Sequence, residues 1–301
     1  MSKQNKKCVE TLSLSFDFEE KLLTNNLNFK IHSVYKRVIN LIAESGDLYS
    51  IVLKTIDNAP HTLRINSALS FKKRNITKQD KVQISDNKLF ISNKLMIEIK
   101  DYKVFDSQIK NKIRLNKEVL IQNLKDCFDI INSKGKYGGA KYFYQKRFTE
   151  NNDCNNPSVI EKEFAARVEK YILVEEKDIE NIIGFGMGLT PTGDDFLLGY
   201  FMTMASIENK YSQKVFKDLK SKLENIDFST TDLSREMLLR TLELKLRENI
   251  KKLIFSLNKS SKQSKFYLKK VLEIGSSSGT DITVGILTAY QEILSKQENG
   301  G

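Results

Sequence analysis

Three carboxylates stand in two glycine-rich stretches of this chain. Residues 184–200 read GFGMGLTPTGDDFLLGY and residues 275–285 read GSSSGTDITVG. Aligned, Thr192 matches Ser278, Gly193 matches Gly279, Asp195 matches Asp281 and Gly199 matches Gly285. Each stretch then runs into an apolar stripe at helical spacing, through Phe196, Tyr200 and Met204 in the first and Ile286, Tyr290 and Ile293 in the second. The pattern is a glycine loop leading into a helix, twice. Exposed N–H groups at a helix start suit an anion. Asp194, Asp195 and Asp281 suit other partners: Mg²⁺, the –NH₂ of an amide, or N–H groups of the loop itself. A bare phosphate would be repelled by the acids, whereas a ligand with an anionic end and amide donors would use both halves.

A plainer account exists. Ser/Thr-x-x-Asp before an apolar run is a capping box, in which the hydroxyl and the acid satisfy early helix N–H groups, for about 1 kcal/mol per helix. Capping accounts for Thr192, Asp195, Ser278 and Asp281 but not for the glycines. Eight of the 14 glycines fall in 184–199 and 275–285. Glycine is costly unless φ is positive or something must come close. Two readings remain open: a loop wrapped on a ligand, or helices packed backbone to backbone. The phosphate loop of nucleotide hydrolases is excluded, because no Gly-Lys-Ser/Thr follows the glycines.

The elements that would position these residues change type along the chain. TLSLSF (11–16), LYSIVLKTI (48–56) and KVQISDNKLFISNKLMIEIK (81–100) have the short, turn-punctuated runs of strands. TLSLSF alternates as a half-buried strand does, and 31–52 is ambiguous between helix and strand. From about 109 the period becomes helical, with Leu120, Leu124, Cys127, Phe128 and Ile131 on one stripe. Residues 148–158, FTENNDCNNPS, read as a loop, and helical patterns follow at 158–174, after Thr192, over Thr231–Ile254 and from Asp281. The expectation is an α+β chain: residues 1–108 β-rich, as a meander or small barrel, and residues 109–301 mainly helical with two glycine-loop-to-helix junctions.

Composition narrows the chemistry. With 301 residues and 40% hydrophobic content, a sizeable core is expected. Three cysteines without a C-x-x-C and only two histidines, His32 and His61, argue against a His/Cys zinc site and against serine–histidine catalysis. The net charge of +11 comes from lysines scattered among acids, which argues against a nucleic-acid partner. No signal peptide and no apolar run long enough to span a bilayer is visible, so no membrane partner and a cytoplasmic location are expected.

Four segments together resemble the AllH family, described as a subunit of the oxamate carbamoyltransferase of anaerobic allantoin breakdown: YKRVINLIAESGDLYSI (35–51), GMGLTPTGDDFLLG (186–199), TTDLSREML (230–238) and IGSSSGTDITVG (274–285). The resemblance implies conversion of oxalurate and phosphate to oxamate and carbamoyl phosphate, or the reverse. It also implies other carbamoyltransferase subunits as partners and small anionic substrates. Under it, Asp195, Asp281 and Asp194 are the candidate catalytic groups. Gly186, Gly188, Thr190, Thr192, Gly193, Ser277, Ser278 and Gly279 would bind substrate, backbone N–H groups would stabilise an oxyanion, and Arg235 would clamp a carboxylate. The resemblance fixes no cofactor, and the acids could hold Mg²⁺. The family's second motif often has His where this chain has Ser276, so no histidine acid or base stands there. The Ser-Thr-Arg-Thr phosphate motif of the aspartate and ornithine carbamoyltransferases is also missing. The alternative is a non-catalytic subunit whose double motif docks a catalytic partner.

Overall fold

A computed structural model describes residues 8–23, 28–148, 156–173, 178–226 and 229–298. Most of the loop expected at 148–158, with Cys154, lies outside these residues. The chain divides into two compact units, Met1–Ser107 and Gln108–Gly301.

The first unit contains β1 (Cys8–Ser15), α1 (Phe16–Leu23), β2 (Phe29–Val34), β3 (Val38–Ala43), β4 (Leu48–Leu53), β5 (Thr62–Ile65), β6 (Val82–Ser85), β7 (Lys88–Ile91), β8 (Leu95–Glu98) and β9 (Lys103–Phe105). The strands form one sheet in the order β2-β3-β4-β5-β1-β8-β7-β6, with β9 added on β1. The terminal strands β2 and β6 approach each other, so the sheet curls nearly into a barrel. The ambiguous segment is strand throughout, as β2, β3 and β4. Asp86 and Asn87 both take positive φ (48° and 57°), the two-residue geometry that suits a tight hairpin between β6 and β7.

A purely antiparallel meander is not what forms. β1 lies between β5 and β8 in the sheet order and pairs in parallel with β8 and β9, and β4 pairs in parallel with β5. The central place of β1 also overturns its half-buried reading, because Thr11, Ser13 and Ser15 are buried opposite Leu14. Their hydroxyls serve the surrounding chain: Thr11 Oγ1 donates to Glu98 O, Ser13 Oγ donates to Asn58 Oδ1, and Ser15 Oγ accepts from Thr62 N–H. Small polar residues are tolerated inside because each is hydrogen-bonded.

The second unit contains α2 (Lys117–Lys134), α3 (Lys141–Phe148), α4 (Val159–Arg167), α5 (Thr192–Ser206), α6 (Lys210–Glu224), α7 (Asp232–Leu242), α8 (Glu248–Leu257), α9 (Ser261–Leu272) and α10 (Ser278–Glu298). Every residue of α5 is buried, as are residues 281–290 of α10. A helix covered on all sides belongs at the centre of a bundle. The helical stretch expected over Thr231–Ile254 is two helices, α7 and α8, with Leu244 at φ 59° between them. Leu244 O there accepts from Ile109 N–H at 2.9 Å, so a tertiary contact breaks the helical run.

Candidate active site

The site grows from the contact between α5 and α10. A side chain at Gly199 would meet Ile282 O at 2.1 Å, and one at Gly285 would meet Phe196 O at 2.1 Å. These two glycines let the helices touch backbone to backbone. Six residues earlier, Gly193 faces Ile182 O and Gly279 faces Val271 O at 1.9 and 2.0 Å from the position a Cβ would take. Their N–H groups are already donated, to Phe185 O and Ile274 O. Four of the motif glycines therefore serve packing.

This packing places Asp195 and Asp281 in one buried locus at the heads of the two helices. Both side chains are fully buried. Neither oxygen of Asp195 has a hydrogen-bond partner, while Asp281 accepts from Ala140 N–H at Oδ1 (2.7 Å) and leaves Oδ2 unpartnered. Burial raises the Asp195 carboxyl well above its ordinary range. The neighbouring Asp281 raises it further, against a smaller lowering by the hydroxyls of Ser278 and Thr190. Burial likewise pushes Asp281 up to about 7, against the lowering effects of Ala140 N–H, Ser277 and Thr192. The hydroxyls act across the motifs: Thr192 on Asp281, and Ser278 on Asp195. The capping boxes do not account for this arrangement. α5 has Pro191 at its cap with no side-chain cap bond, and the Ser278 hydroxyl is hydrogen-bonded with that of Thr190 at 2.7 Å. The true capping box in this unit is Ser158 with Glu161, at α4.

Asp194 points elsewhere. Its Oδ1 accepts from Gly184 N–H (2.8 Å), and its Oδ2 accepts from Thr230 Oγ1 (2.5 Å) and Ser234 Oγ (2.6 Å). It therefore ties the loop before α5 to the start of α7. Thr231, the N-cap of α7, donates to Leu189 O at 2.5 Å and completes the tie. Gly186 and Gly188 lie in this loop with φ of 121° and 98°. Neither glycine N–H forms a hydrogen bond within the described residues. Ser277 O accepts from the N–H groups of Thr280 and Asp281. Arg235 is exposed on α7. A cavity of about 410 Å³ bounded by Ile121, Phe128, Tyr144 and Gln291 does not reach the carboxylate pair.

Residues of the site that the two motifs do not include are Gly139 and Ala140, in the turn before α3, and Ser234 on α7. Thr280, which occupies the place matching Asp194, accepts from Lys136 N–H at 2.9 Å and holds that turn. The Gly138-Gly139 pair just before a helix was the available signal. Nothing local ties it to Asp281, 142 residues further along. Other chemistries find no support among the described residues. No group of three or more His, Cys, Asp or Glu side chains could hold a metal ion, and the Cys127 thiol is pushed up to about 12 by burial.

Comparison with known proteins adds two matches. Residues 10–104 match the AllH family N-terminal domain, and residues 182–290 match the model described as oxamate carbamoyltransferase subunit AllH. The chain belongs to the AllH family. It is thus a carbamoyltransferase subunit, and the AllH match spans both carboxylates and both crossing glycines, Gly199 and Gly285. The turn carrying Gly139 and Ala140 lies outside both matched ranges of this AllH-family chain. No solved structure matches it. No helix among the described residues is long and apolar enough to cross a membrane.

Proposed function

We propose that this subunit carries the reacting centre for phosphorolysis of oxalurate to oxamate and carbamoyl phosphate, or the reverse, in the cytoplasm and with other subunits of the enzyme. The observation that carries the reading is the buried Asp195–Asp281 pair within the matched AllH segment. In the forward reaction a phosphate oxygen bonds to the carbamoyl carbon while the carbon–nitrogen bond to oxamate breaks. The proton lost by phosphate replaces the one needed by the leaving nitrogen, so atoms and charge balance if the carboxyl pair relays it. A carboxyl titrating near 7 suits that work. Burial raises both carboxyls and the neighbouring Asp281 raises Asp195 further, as expected of like charges that cannot both ionise.

In this reading the glycine-loop-to-helix junctions are the two jaws of the site, and the subunit has two domains, 1–108 and 109–301, of which the second carries the site. The N–H groups of Gly186 and Gly188 meet the oxyanion or phosphate. Thr190, Thr192, Ser277 and Ser278 orient the carbamoyl group, with Gly193 and Gly279 shaping the floor. Asp194 holds the loop, and Arg235 takes the oxamate carboxylate. Both carboxyls are fully buried, so in this reading substrate reaches them only when the loop at 184–191 opens.

One observation favours the second reading, a docking subunit. Met187 and Leu189 are 74% and 50% exposed at the tip of the same loop, an apolar surface that a partner would cover. The deciding experiment is a tagged pull-down from native cells, with the eluate assayed for carbamoyl phosphate formed from oxalurate and phosphate. Asp195→Asn and Asp281→Asn chains are purified in parallel. Intact complexes without turnover support the catalytic reading. Complexes that assemble and turn over normally with both substitutions would leave the pair without a role in the reaction.

A further inference from the structure

We propose that the turn at residues 135–140 is a third wall of the carboxylate site, in which Ala140 and Gly139 are positioning residues that present Asp281 to substrate through Oδ2. The proposal rests on the reading of Asp195 and Asp281 given above and extends it to a segment outside both family matches. Two contacts define it. Ala140 N–H donates to Asp281 Oδ1 at 2.7 Å. A side-chain carbon at Gly139 would stand 2.3 Å from Oδ1 and 2.6 Å from Oδ2, so the carboxylate fills the space that any other residue would need.

The turn is fixed from several sides. Lys136 N–H donates to Thr280 Oγ1 and Gly138 N–H donates to Glu161 Oε1, both at 2.9 Å. Glu161 is itself held by the N–H and hydroxyl of Ser158. The buried Lys141 Nζ donates to Asn132 O and Gly135 O at 3.0 Å and lies 3.8 Å over the Tyr137 ring, so its charge is directed at the turn. The groups acting on Asp281 are Asp195 from α5, Glu161 from α4, and the hydroxyls of Thr192 and Ser277. Asp194 is turned to α7.

The consequence is chemical. A backbone donor on Oδ1 makes that oxygen the permanent acceptor. The proton of a neutral Asp281 then resides on Oδ2, which has no hydrogen-bond partner among the described residues. That oxygen gives its proton to the leaving nitrogen as the carbon–nitrogen bond breaks and recovers one from the attacking phosphate. Without the donor, the carboxyl would turn freely between its two oxygens and bind its proton more tightly.

The test separates this inference from the functional reading. In the full-length chain, the Asp281 carboxyl carbon is titrated by NMR, assigned with Asp281→Asn. Ala140→Pro deletes the N–H and moves the titration to higher pH, while Ala140→Gly keeps the N–H and keeps the titration in place. In the assembled enzyme the acid limb of the pH–rate profile for oxalurate phosphorolysis moves the same way in Ala140→Pro. Gly139→Ala lowers kcat about a hundredfold, the scale expected of a small misplacement of a reacting group. An unmoved titration in Ala140→Pro overturns the proposal. So does a moved titration with an unmoved pH–rate profile. If the wild-type complex fails to turn over oxalurate, the functional reading falls, and the NMR titration alone still decides whether Ala140 holds Asp281.

Discussion

The heads of α5 and α10 have the same sequence pattern and almost the same architecture, yet their carboxylates end in different states. At each head a glycine faces the carbonyl of the preceding segment, and a second glycine, six residues on, faces the other helix. At each, the residue between them that precedes the paired Asp ties in a distant loop: Asp194 holds Gly184, Thr230 and Ser234, and Thr280 holds Lys136. The difference is a third segment. The turn at 135–140 supplies a backbone donor to Asp281, and among the described residues no backbone N–H reaches Asp195. Two equivalent acids become inequivalent because only one is visited by another part of the chain. The donor acts against burial at Asp281, which is raised to about 7, whereas burial and the neighbouring Asp281 together raise Asp195 well above its ordinary range.

Several substitutions would break or sharpen this comparison. The largest effect is expected where the two heads meet. Gly285→Val places branched carbons against Phe196 O, and Gly199→Val does the same against Ile282 O. Each should cost 3 kcal/mol or more, roughly the upper end for overpacking, and abolish the cooperative unfolding transition. A variant of either kind with native thermal stability would mean the helices do not touch at these points.

The next effect is set by pH. Asp281 is raised to about 7 in the folded chain from an ordinary 3.8, so the folded protein holds this proton where the unfolded chain has lost it. The associated stability is complete below the unfolded value and is lost as pH rises through the folded one, about 4 kcal/mol in all. Urea unfolding at about pH 5 and about pH 8 should show the wild type weaker at the higher pH and Asp281→Asn losing less over the same interval, with the remaining loss set by Asp195, which is raised in the same direction. Equal slopes would show that Asp281 is not titrating in that window.

Smaller effects compare the two tying residues. Asp194→Ala leaves three donors around the first head without an acceptor and should cost about 3 kcal/mol. Thr280→Val removes a single acceptor from the second head and should cost about 1 kcal/mol. Chemical denaturation of both variants checks the ranking. A reversed order would mean that the loop before α5 is held by something other than Asp194.

Much of this was legible in the chain. The short runs of 81–100 with their Asp-Asn turn marked strands, the stripe from Leu120 to Ile131 marked α2, and the repeated motif pointed to Asp195 and Asp281 together. These signals are local: a period or a turn needs only a few neighbouring residues. The parallel pairings of β1, the break at Leu244 and the polar inner face of TLSLSF were not legible, since each depends on which distant segment lies alongside.

The same division runs through the site. The sequence by itself determined that two helices begin with Gly-x-Asp, that glycines recur where backbones must approach, and that the two motifs are equivalent. Only the tertiary structure decided that the equivalence ends at the carboxylates, that Thr192 and Ser278 act on the opposite motif's acid, and that Asp194 is a tie. Hydrogen bonds and desolvation act over a few ångströms in space, and residues as far apart in the chain as Ala140 and Asp281 become neighbours only when α3 and α10 have packed.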